Sequence, residues 1–501
     1  MDWQIRTDIP FNSAEYFENT LITDNGFREY DVRWLVGKEI NPNGYVVLGR
    51  AYGTFMRDVL KEDRVVVGYD FRSYSQDLCR SLIMGLLWSG VHVIDVGLAL
   101  SPMVYFAQHH FGTRGGLMLT ASHNENGWTG LKIADGLSST LGPDGIQQFK
   151  SIVKSAQFST GSGGYESFPD IFDAYARDAL GGYEVKNPMT VVVAAGNGTA
   201  GRFAPTVLRQ MGCDVVEVDC DLNWDFPNHN PNPEDISFLQ GIGAAVRKHR
   251  ARIGLGIDGD GDRIGVVDEG GEEVFSDKVG MLVARWICRQ TPGRRIVIDV
   301  KSTGLYQSDP VLKEHNMDVQ FVKTGHSYVK AAVSHEKAIA GFERSGHWFF
   351  KPPYGRGYDD AIRSSVHLIH MLDDSGASLC ELMEAIPHTW QSPTLGVHCP
   401  DDQKYDVVEQ VGAQYAQDQQ AGTTIGGKRI KELITVNGTR FVLEDDGWGL
   451  VRASSNKPSL VLVAESSTSE DQLYAIMGHI QSRLADTGKV GEYDQQMPQR
   501  G

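Results

Sequence analysis

Cysteine is scarce in this chain, and no two cysteines stand at a metal-binding spacing. The six cysteines are scattered through 501 residues without a Cys-x-x-Cys motif. This pattern argues against a zinc site and against a disulfide framework, and it fits a reducing compartment. The disulfide-rich secreted class is therefore excluded.

Long apolar runs are missing as well. No uninterrupted apolar stretch approaches the roughly 20 residues that a membrane-spanning helix needs. The N-terminal segment MDWQIRTDIPFNSAEYFENT lacks a basic region followed by an apolar one, so it does not look like a secretory signal. We expect a cytoplasmic protein that does not bind membranes.

Positive charge is also in short supply. Lys and Arg number 47 against 64 Asp and Glu, which gives a formal net charge of −17. Nucleic acids attract proteins through clustered Lys and Arg, so we expect no nucleic-acid partner. An acidic chain can still bind a small anion, provided that it gathers cations locally.

The chain does have length and a recurring strand–helix–strand pattern. Segments starting at residues 64, 189 and 294 each show an apolar strand, a polar or glycine-rich turn, a helix and a second strand. Such segments predict parallel βαβ units, while the last part of the chain lacks the pattern. The predicted fold class is α/β, with three related mixed-sheet α/β domains plus a smaller C-terminal α+β domain.

Domain boundaries are expected where composition changes. Glycine- and serine-rich or otherwise polar breaks occur near residues 158–168, 268–277 and 387–396. They divide the chain into predicted domains at 1–165, 166–270, 271–388 and 389–501. In open α/β sheets, ligands collect at the carboxyl ends of strands, and the motifs of the first three domains fall there.

The strongest local motif is IGLGIDGDGDRIGVV at 253–267. Asp258, Asp260 and Asp262 alternate with glycines directly after an apolar strand, and carboxylates this close repel one another unless a cation lies among them. Hard oxygen ligands suit Mg²⁺. The acids also match part of an EF-hand loop, but Arg263 stands where that loop needs glycine and the flanks read as strands. We therefore reject a calcium-signalling site.

A second motif supports a different function. Gly196, Gly198 and Gly201 in AAGNGTAG have GxGxxG spacing, and Asp219 ends the next strand about twenty residues later. Alone, this arrangement predicts a dinucleotide site and leaves a nicotinamide-dependent oxidoreductase as an alternative. That reading gives no role to the three aspartates or to Ser122.

Four further loops carry polar groups: TASHN (120–124), KTGHS (323–327), ERSGH (343–347) and RASSN (452–456). The two histidine loops, with Lys323, Glu343 and Ser345, are typical of a pocket for sugar hydroxyls. The last loop combines an arginine fork with hydroxyl groups, which suits a phosphate.

In this order, the five motifs resemble those of the α-D-phosphohexomutase family, specifically its phosphomannomutase/phosphoglucomutase branch. The resemblance extends from GFREYDVR (26–33) to Pro458. It implies four domains around a central cleft, each giving one loop. It also implies that hexose 1-phosphate and hexose 6-phosphate, of mannose or glucose, are interconverted through a phosphoserine enzyme and a 1,6-bisphosphate. Mg²⁺ would be the metal, and glucose or mannose 1,6-bisphosphate the activator.

The resemblance also assigns roles to residues. Ser122 would be phosphorylated and would hold the metal with the three aspartates, while Arg263 and Lys132 neutralise charge. His123 would orient the serine loop, and Tyr30, Arg33 and His326 would aid proton transfer or phosphate contact. The expected sugar contacts are Lys301, Thr324, Gly325, Glu343, Ser345 and His347. The expected contacts to the non-reacting phosphate are Arg452, Ser454, Ser455 and Asn456.

Several alternatives stay open on the sequence alone. Phosphoglucosamine mutases share most of these motifs, although Arg344 and the RASSN loop favour the mannose/glucose branch. An aspartate phosphatase would leave TASHN and the phosphate loop without a role, and a non-catalytic sugar-phosphate-binding protein is a further class. We expect a monomer whose partner is a small phosphosugar, because one cleft needs a loop from every domain.

Overall fold

The computed structural model describes residues 20–455, 457–495 and 497. The first sheet contains β1 (Val32–Leu35), β2 (Arg64–Tyr69), β3 (His92–Leu98), β4 (Gly115–Leu119), β5 (Trp128–Gly136), β6 (Ser139–Thr140) and β7 (Tyr165–Ser167). Its order is β1-β5-β4-β2-β3-β7, with β6 on β5. Its helices are α1 (Pro42–Phe55), α2 (Ser75–Trp88), α3 (Ser101–Phe111) and α4 (Pro143–Ser155).

The second sheet contains β8 (Thr190–Ala194), β9 (Asp214–Val218), β10 (Ile253–Ile257), β11 (Ile264–Val267) and β12 (Glu273–Val274). Its order is β12-β11-β10-β8-β9, with β8, β9 and β10 parallel and β11 and β12 antiparallel to their neighbours. The accompanying helices are α5 (Ile171–Leu180), α6 (Ala204–Gln210) and α7 (Ile236–His249).

The third sheet contains β13 (Arg295–Asp299), β14 (Asp318–Val322), β15 (Ala340–Phe342) and β16 (Trp348–Phe350), in the order β14-β13-β15-β16. Its helices are α8 (Ser276–Gln290), α9 (Leu305–Ser308), α10 (Pro310–Glu314), α11 (His326–His335), α12 (Ala361–Ser375) and α13 (Leu379–Glu384). Like the first two sheets, it joins parallel strands to an antiparallel edge. Three mixed sheets, as predicted from the repeated pattern, are thus confirmed.

The fourth sheet is antiparallel throughout its named pairs. It contains β17 (Trp390–Gln391), β18 (Leu395–His398), β19 (Thr424–Ile425), β20 (Lys428–Ile434), β21 (Thr439–Leu443), β22 (Trp448–Ala453) and β23 (Ser459–Ser466). The order is β17-β23-β22-β21-β20-β19, and β18 also pairs with β23. Helices α14 (Lys404–Ala421) and α15 (Glu470–Ala485) cover it.

The buried apolar side chains connect the first three domains more extensively than they connect the fourth. One continuous cluster joins the first three domains through helix side chains such as Tyr105, Tyr175, Trp286 and Ile362. The fourth domain has its own core, and a small cluster that contains Val300 and Trp448 joins it to the third domain. Three domains therefore form one packed block to which the fourth is attached through fewer apolar side chains.

Two segments differ from their sequence interpretation. The glycine- and serine-rich stretch at 158–168 is not only a linker, because β7 pairs with β3 in parallel. The segment that starts at residue 294 was predicted to contain one helix, at 305–317, but the structure has two short helices there, α9 and α10. The break occurs because Asp309 caps α10, which starts at Pro310. Among the described residues, no helix is long and apolar enough to cross a membrane.

Candidate active site

A cleft of about 700 Å³ lies where the four domains meet. The loops around it follow the carboxyl ends of β4, β10, β13, β14, β15 and β22, the strand ends where α/β sheets collect ligands. Strands β4 and β10 are buried along their whole length, which explains their uninterrupted apolar and glycine sequences. The polar side chains at their ends are therefore carried by well-packed strands.

Ser122 lies just after the end of β4. Its hydroxyl faces the loop that carries Asp258, Asp260 and Asp262, which we call the aspartate loop. Its backbone is left-handed, at φ 53°, a strained conformation for a non-glycine residue. The backbone N–H donates to Thr120 Oγ1 at 2.8 Å, and the hydroxyl donates to Asp258 Oδ2 at 3.1 Å. His123 Nδ1 is 3.2 Å from the same hydroxyl. The loop thus presents one buried hydroxyl, 2% exposed as a residue, to a carboxylate of another domain.

Two residues to which the sequence analysis gave no role brace this loop. Arg72 pairs with Asp70, and its Nη2 donates to the carbonyl oxygens of Ser122 at 3.1 Å and Asn124 at 2.6 Å. Asp70 Oδ2 also accepts from the N–H of Ala121 at 3.3 Å. Both charges are buried. The available signal was their position, since the Asp-Phe-Arg run follows strand β2 directly.

The aspartate loop is organised around Asp258. Its Oδ1 accepts three backbone N–H groups, from Gly261 at 3.0 Å, Asp262 at 3.0 Å and Arg263 at 3.1 Å. Asp258, Asp260 and Asp262 are all 0% exposed. One carboxylate oxygen thus shapes the loop, while the other faces Ser122.

The three carboxylates have too few partners for their charge. Lys132 Nζ lies 2.6 Å from Asp260 Oδ2 and also pairs with Asp262. Within the described part of the chain, Oδ1 of Asp260 and Oδ1 of Asp262 have no hydrogen-bond partner. Burial, with Asp262 and Asp260 nearby, raises the pKa of Asp258 well above its usual range. Carboxylate oxygens of all three lie within 4.8 Å of one another, so the donor set fits a divalent cation.

A second group of possible ligands, Asp262, His347 and Asp359, is already neutralised. Lys330 Nζ lies 2.9 Å from Asp359 Oδ1, and His347 Nδ1 lies 3.0 Å from Asp359 Oδ2. Burial alone would raise the pKa of Asp359, but Lys330 and His347 hold it well below its usual range. This group is therefore an ion-pair network, and sequence analysis missed its members Lys330 and Asp359.

That network reaches the cleft through His347. The Nε of Arg263 donates to His347 Nε2 at 2.9 Å, so Nε2 is the acceptor, while Nδ1 lies 3.0 Å from Asp359 Oδ2. The guanidinium of Arg263 also lies 3.9 Å from Asp258 Oδ2. Asp359, His347 and Arg263 thus form a chain from the buried interior to the aspartate loop.

The predicted sugar-binding loops meet at Glu343. Its Oε1 accepts from the N–H of Gly325 at 3.1 Å, and its Oε2 accepts from the hydroxyl of Ser345 at 2.9 Å. Burial raises the pKa of Glu343. Thr324 donates to Asp299 Oδ2 at 2.8 Å, which fixes the start of the KTGH loop. Loops after β14 and β15 are therefore held as one polar surface.

Tyr30 and His326 close the side of the cleft between the first and third domains. Their rings meet edge to face with centroids 5.1 Å apart. Burial and the charge of Lys330 hold the pKa of His326 well below its usual value. Gly325 has φ 126° and packs on Tyr30, so an added Cβ would lie 2.8 Å from that ring. The glycine is needed for this close approach.

Arg452, at the end of β22, and the loop that follows it also line the cleft. Arg452 Nε donates to Asn437 Oδ1 at 2.8 Å, and its Nη2 donates to Ser455 Oγ at 3.2 Å. Ser454 and Ser455 are half-buried and line the cleft. Asn456, the remaining predicted contact, lies outside the described residues.

The cleft gathers cations despite the acidic composition. Arg33, Arg263, Lys301, Arg452 and Lys457 all line it, together with half-buried His123. Glu234, which sequence analysis missed, lies 3.9 Å from Lys301 and 4.0 Å from Arg263. Acidic residues line the cleft as well (Glu234, Asp235, Glu273, Glu343 and Asp494), so the cations are the individual groups available to bind a phosphorylated ligand.

The GNGTAG turn is filled by the chain itself. A Cβ on Gly201 would lie 2.2 Å from the carbonyl oxygen of Cys220, and one on Gly198 would lie 2.9 Å from Gly259 Cα. Thr199 donates its N–H to the Gly259 carbonyl at 3.1 Å. The glycines therefore let this turn pack beneath the aspartate loop, and backbone occupies the space that a pyrophosphate would need.

Comparison with known proteins decides the family. Four domain models described as phosphoglucomutase/phosphomannomutase match successive parts of the chain: alpha/beta/alpha domains I, II and III at residues 24–160, 173–271 and 275–390, and the C-terminal domain at 397–480. The chain belongs to the phosphoglucomutase/phosphomannomutase family. The predicted family and the predicted class of enzyme, a phosphohexomutase, are confirmed.

Similar proteins support the same assignment. A phosphomannomutase/phosphoglucomutase of Pseudomonas syringae pv. tomato is 34% identical over 464 residues, which cover 93% of this chain and 96% of that protein. A phosphoglucomutase of Neisseria gonorrhoeae is 34% identical over 89% of this chain and 94% of its own length. A family protein of Burkholderia thailandensis has a TM-score of 0.84 at 31% identity, over 95% of this chain and 100% of that one. The four-domain fold is thereby confirmed.

Proposed function

We propose that this member of the family interconverts hexose 1-phosphate and hexose 6-phosphate, of mannose, glucose or both, through phosphorylated Ser122. The observation that carries the proposal is the buried Ser122 hydroxyl, which lies 3.1 Å from Asp258 Oδ2 and 3.2 Å from Nδ1 of His123, a residue of the cleft wall. A hydroxyl that only capped a loop would not need three convergent carboxylates from another domain.

Asp258, Asp260 and Asp262 would hold Mg²⁺ together with an oxygen on Ser122. The unpartnered oxygens of Asp260 and Asp262 and the raised pKa of Asp258 support this assignment. When bound, the ion supplies neutralisation of the charge on the transferring phosphoryl group. Magnesium is named with an N-acetylphosphoglucosamine mutase of Aspergillus fumigatus, which shares 14% identity and therefore shows the fold alone.

The chain's own residues account for the transfer. The Oγ–P bond of phosphorylated Ser122 breaks while a bond forms between phosphorus and a sugar hydroxyl oxygen; the hydroxyl proton passes to a base, and the departing Ser122 Oγ takes up a proton and becomes the serine hydroxyl again. Arg263 and Lys132 neutralise the phosphoryl charge, and His123 orients the serine loop. Burial and the charge of Lys330 lower the pKa of His326, which favours the neutral imidazole, and its Nε2 has no hydrogen-bond partner among the described residues, so we assign it as the proton acceptor. Arg33 and Tyr30 would assist there.

The remaining loops hold the substrate at both ends. Glu343 and Ser345 would bind sugar hydroxyls, while Arg452 would bind the non-reacting phosphate through its planar fork. Further sugar contacts are Lys301, Thr324, Gly325 and His347, and further phosphate contacts are Ser454, Ser455 and Asn456. The 1,6-bisphosphate then turns in the cleft and returns its other phosphate to Ser122. Glucose or mannose 1,6-bisphosphate would load the serine and act as activator.

Phosphoglucosamine mutase stays the second candidate. The sequence argument against it used Arg344, but the structure holds that guanidinium on the carbonyl oxygen of Ser392 at 2.7 Å and over the ring of Phe275. Its contact is therefore with the segment between β17 and β18 of the fourth domain.

The other expectations belong to this proposal. The partner would be a small phosphosugar, without nucleic acid or membrane, and the active unit a cytoplasmic monomer. A monomer is supported by the cleft, to which each of the four domains of one chain gives lining residues.

The test is conversion followed by ³¹P NMR. The protein is mixed with Mg²⁺, a trace of glucose 1,6-bisphosphate, and glucose 1-phosphate, mannose 1-phosphate or glucosamine 1-phosphate in parallel. We expect 6-phosphate to form from glucose or mannose and to disappear in Ser122→Ala. Conversion of glucosamine 1-phosphate alone would select the second candidate. No conversion of any sugar by a folded, Mg²⁺-binding protein would favour a non-catalytic binding protein.

A further inference from the structure

The C-terminal segment 491–495 runs antiparallel beside β18, with a single β-bridge between Tyr493 and Val397. The pairing runs through Gly491 N–H to His398 O at 2.9 Å, His398 N–H to Glu492 O at 2.9 Å, and Asp494 N–H to Gly396 O at 2.9 Å. The match to the family's C-terminal domain ends at residue 480, so it does not include this segment. The segment covers an edge that β18 would otherwise expose.

Asp494 forms hydrogen bonds with both backbone groups of Gly396 in β18. Its N–H donates to the Gly396 carbonyl, and its Oδ1 accepts from the Gly396 N–H at 2.8 Å. Gln495 adds a bond from Nε2 to the Thr394 carbonyl at 2.8 Å. A Cβ on Gly396 would lie 2.5 Å from Asp494 Oδ2, so only glycine leaves room for this pair of hydrogen bonds. Asp494 and Gln495 also line the cleft.

Strand β18 connects the C-terminal segment to the loop between β22 and β23, which contains most of the predicted phosphate contacts and is called the phosphate loop here. Its other edge pairs with β23, where Gly396 stands opposite Val461. Cys399 N–H donates to Pro458 O at 3.0 Å, and Ser454 N–H donates to Ser459 O at 2.9 Å. The loop is therefore held between two strands, one of which rests on β18 and the C-terminal segment.

We propose that the C-terminal segment positions the phosphate loop and that Asp494 is a positioning residue for recognition of the substrate's non-reacting phosphate. The proposal rests on the proposed function. Charge alone predicts the opposite effect of removing Asp494, because a carboxylate on the cleft wall repels a phosphosugar. The direction of the change in KM therefore separates positioning from simple electrostatics.

The test compares four single variants and one double variant of the full chain. Asp494→Ala should raise KM for the converted hexose 1-phosphate by about three- to tenfold and leave kcat within about twofold. A change in KM of this size is what the loss of one hydrogen bond produces. Asp494→Asn keeps an acceptor for Gly396 and should stay close to wild type. Glu492→Ala removes the same charge from a residue that pairs through its backbone carbonyl, and it should leave KM unchanged. Gly396→Ala should reproduce Asp494→Ala and add nothing to it in the double variant.

Hydrogen exchange supplies a readout that is independent of turnover. In Asp494→Ala, the amides of Gly396, Cys399 and Ser454 should exchange faster than in wild type, while amides of the first three domains stay unchanged. An unchanged or lower KM in Asp494→Ala, or unchanged exchange at Cys399 and Ser454, would overturn the proposal. If wild type converts no hexose phosphate, the proposed function fails, and exchange at these amides still decides the structural role.

Discussion

The loop that carries Ser122 and the loop that carries Ser454 both place serine after a strand, yet they are built differently. Ser122 is 2% exposed, and Arg72, Asp70 and the aspartate loop contact it or its immediate neighbours. Ser454 and Ser455 are half-buried and belong to the domain with a separate core. The proposed reacting end of the cleft, at Ser122, thus lies within the block formed by the first three domains, whereas the proposed recognition end, at Ser454 and Ser455, lies in the fourth domain.

This difference fits what each end has to do. Phosphoryl transfer needs fixed positions for the nucleophile and for neutralising charge, because misplacement of reacting groups is costly. The recognition end has to accept the phosphate at C1 or at C6 of the same sugar. Changes at the reacting end should therefore lower kcat, and changes at the recognition end should raise KM.

The sharpest test of the reacting end is Ser122→Ala. Without the nucleophile, kcat should fall by more than about 10³-fold. Ser155→Ala, an exposed serine at the end of α4, is the matched control and should leave kcat unchanged. Turnover is measured by ³¹P NMR with the bisphosphate present. A Ser122→Ala protein with substantial turnover would remove the distinction between the two loops.

The next largest effect is expected for Asp258→Asn. The amide keeps one oxygen for the N–H of Gly261, so the loop should fold, but one metal-ligating charge is lost. We expect kcat to fall by more than about 10²-fold and Mg²⁺ to bind more weakly in calorimetry. Asp144→Asn, on the exposed start of α4, serves as control. Full Mg²⁺ affinity in Asp258→Asn would contradict the assignment of the metal ligands.

A fall in kcat of about tenfold is expected when the ion-pair network of Lys330, Asp359 and His347 is disrupted. Asp359→Asn leaves the Lys330 ammonium buried without its counter-charge, which should lower the free energy of unfolding by about 3–5 kcal/mol. It also takes a negative partner from His347 Nδ1, so kcat should fall by about tenfold through Arg263. Denaturant unfolding and steady-state kinetics measure the two effects.

A double variant separates these effects. Lys330→Met with Asp359→Leu removes both charges, so it should recover most of the stability, because apolar replacements of buried ion pairs are commonly neutral. It should not recover kcat, because His347 still lacks its partner. Recovery of both quantities would show that Asp359 supports the fold and has no positioning role.

The smallest effect is expected at the recognition end. Arg452→Lys keeps the charge but loses the planar fork that pairs with phosphate oxygens. KM should rise by about tenfold or less, with kcat nearly unchanged. Arg429→Lys, exposed on β20, is the control. A fall in kcat without a change in KM would place Arg452 in the transfer step and reverse the comparison.

The sequence predicted those parts whose signal is local. Ser122, Asp258 and Glu343 stand in short motifs at strand ends, and the repeated strand–helix–strand pattern predicted the three mixed sheets. The phosphate loop was equally visible as a cationic turn. In each case the residues that define the feature lie within a few positions of one another.

The residues that sequence analysis missed act across long sequence distances. Arg72 contacts Asn124, Lys330 pairs with Asp359, and Asp494 bonds to Gly396. Nothing in the immediate neighbourhood of a buried charge shows which distant residue will neutralise it. The GNGTAG turn shows the converse, because its glycine spacing is also what close packing against Gly259 requires.

The central claim is that Ser122 carries the transferred phosphoryl group. The most direct measurement is mass spectrometry of the protein after incubation with glucose 1,6-bisphosphate and Mg²⁺, followed by addition of excess glucose 6-phosphate. The account predicts one phosphoryl group on the peptide that contains Ser122, and its transfer to the sugar as bisphosphate after the addition. A phosphoryl group on an aspartate, or none on a protein that still converts hexose phosphates, would contradict it.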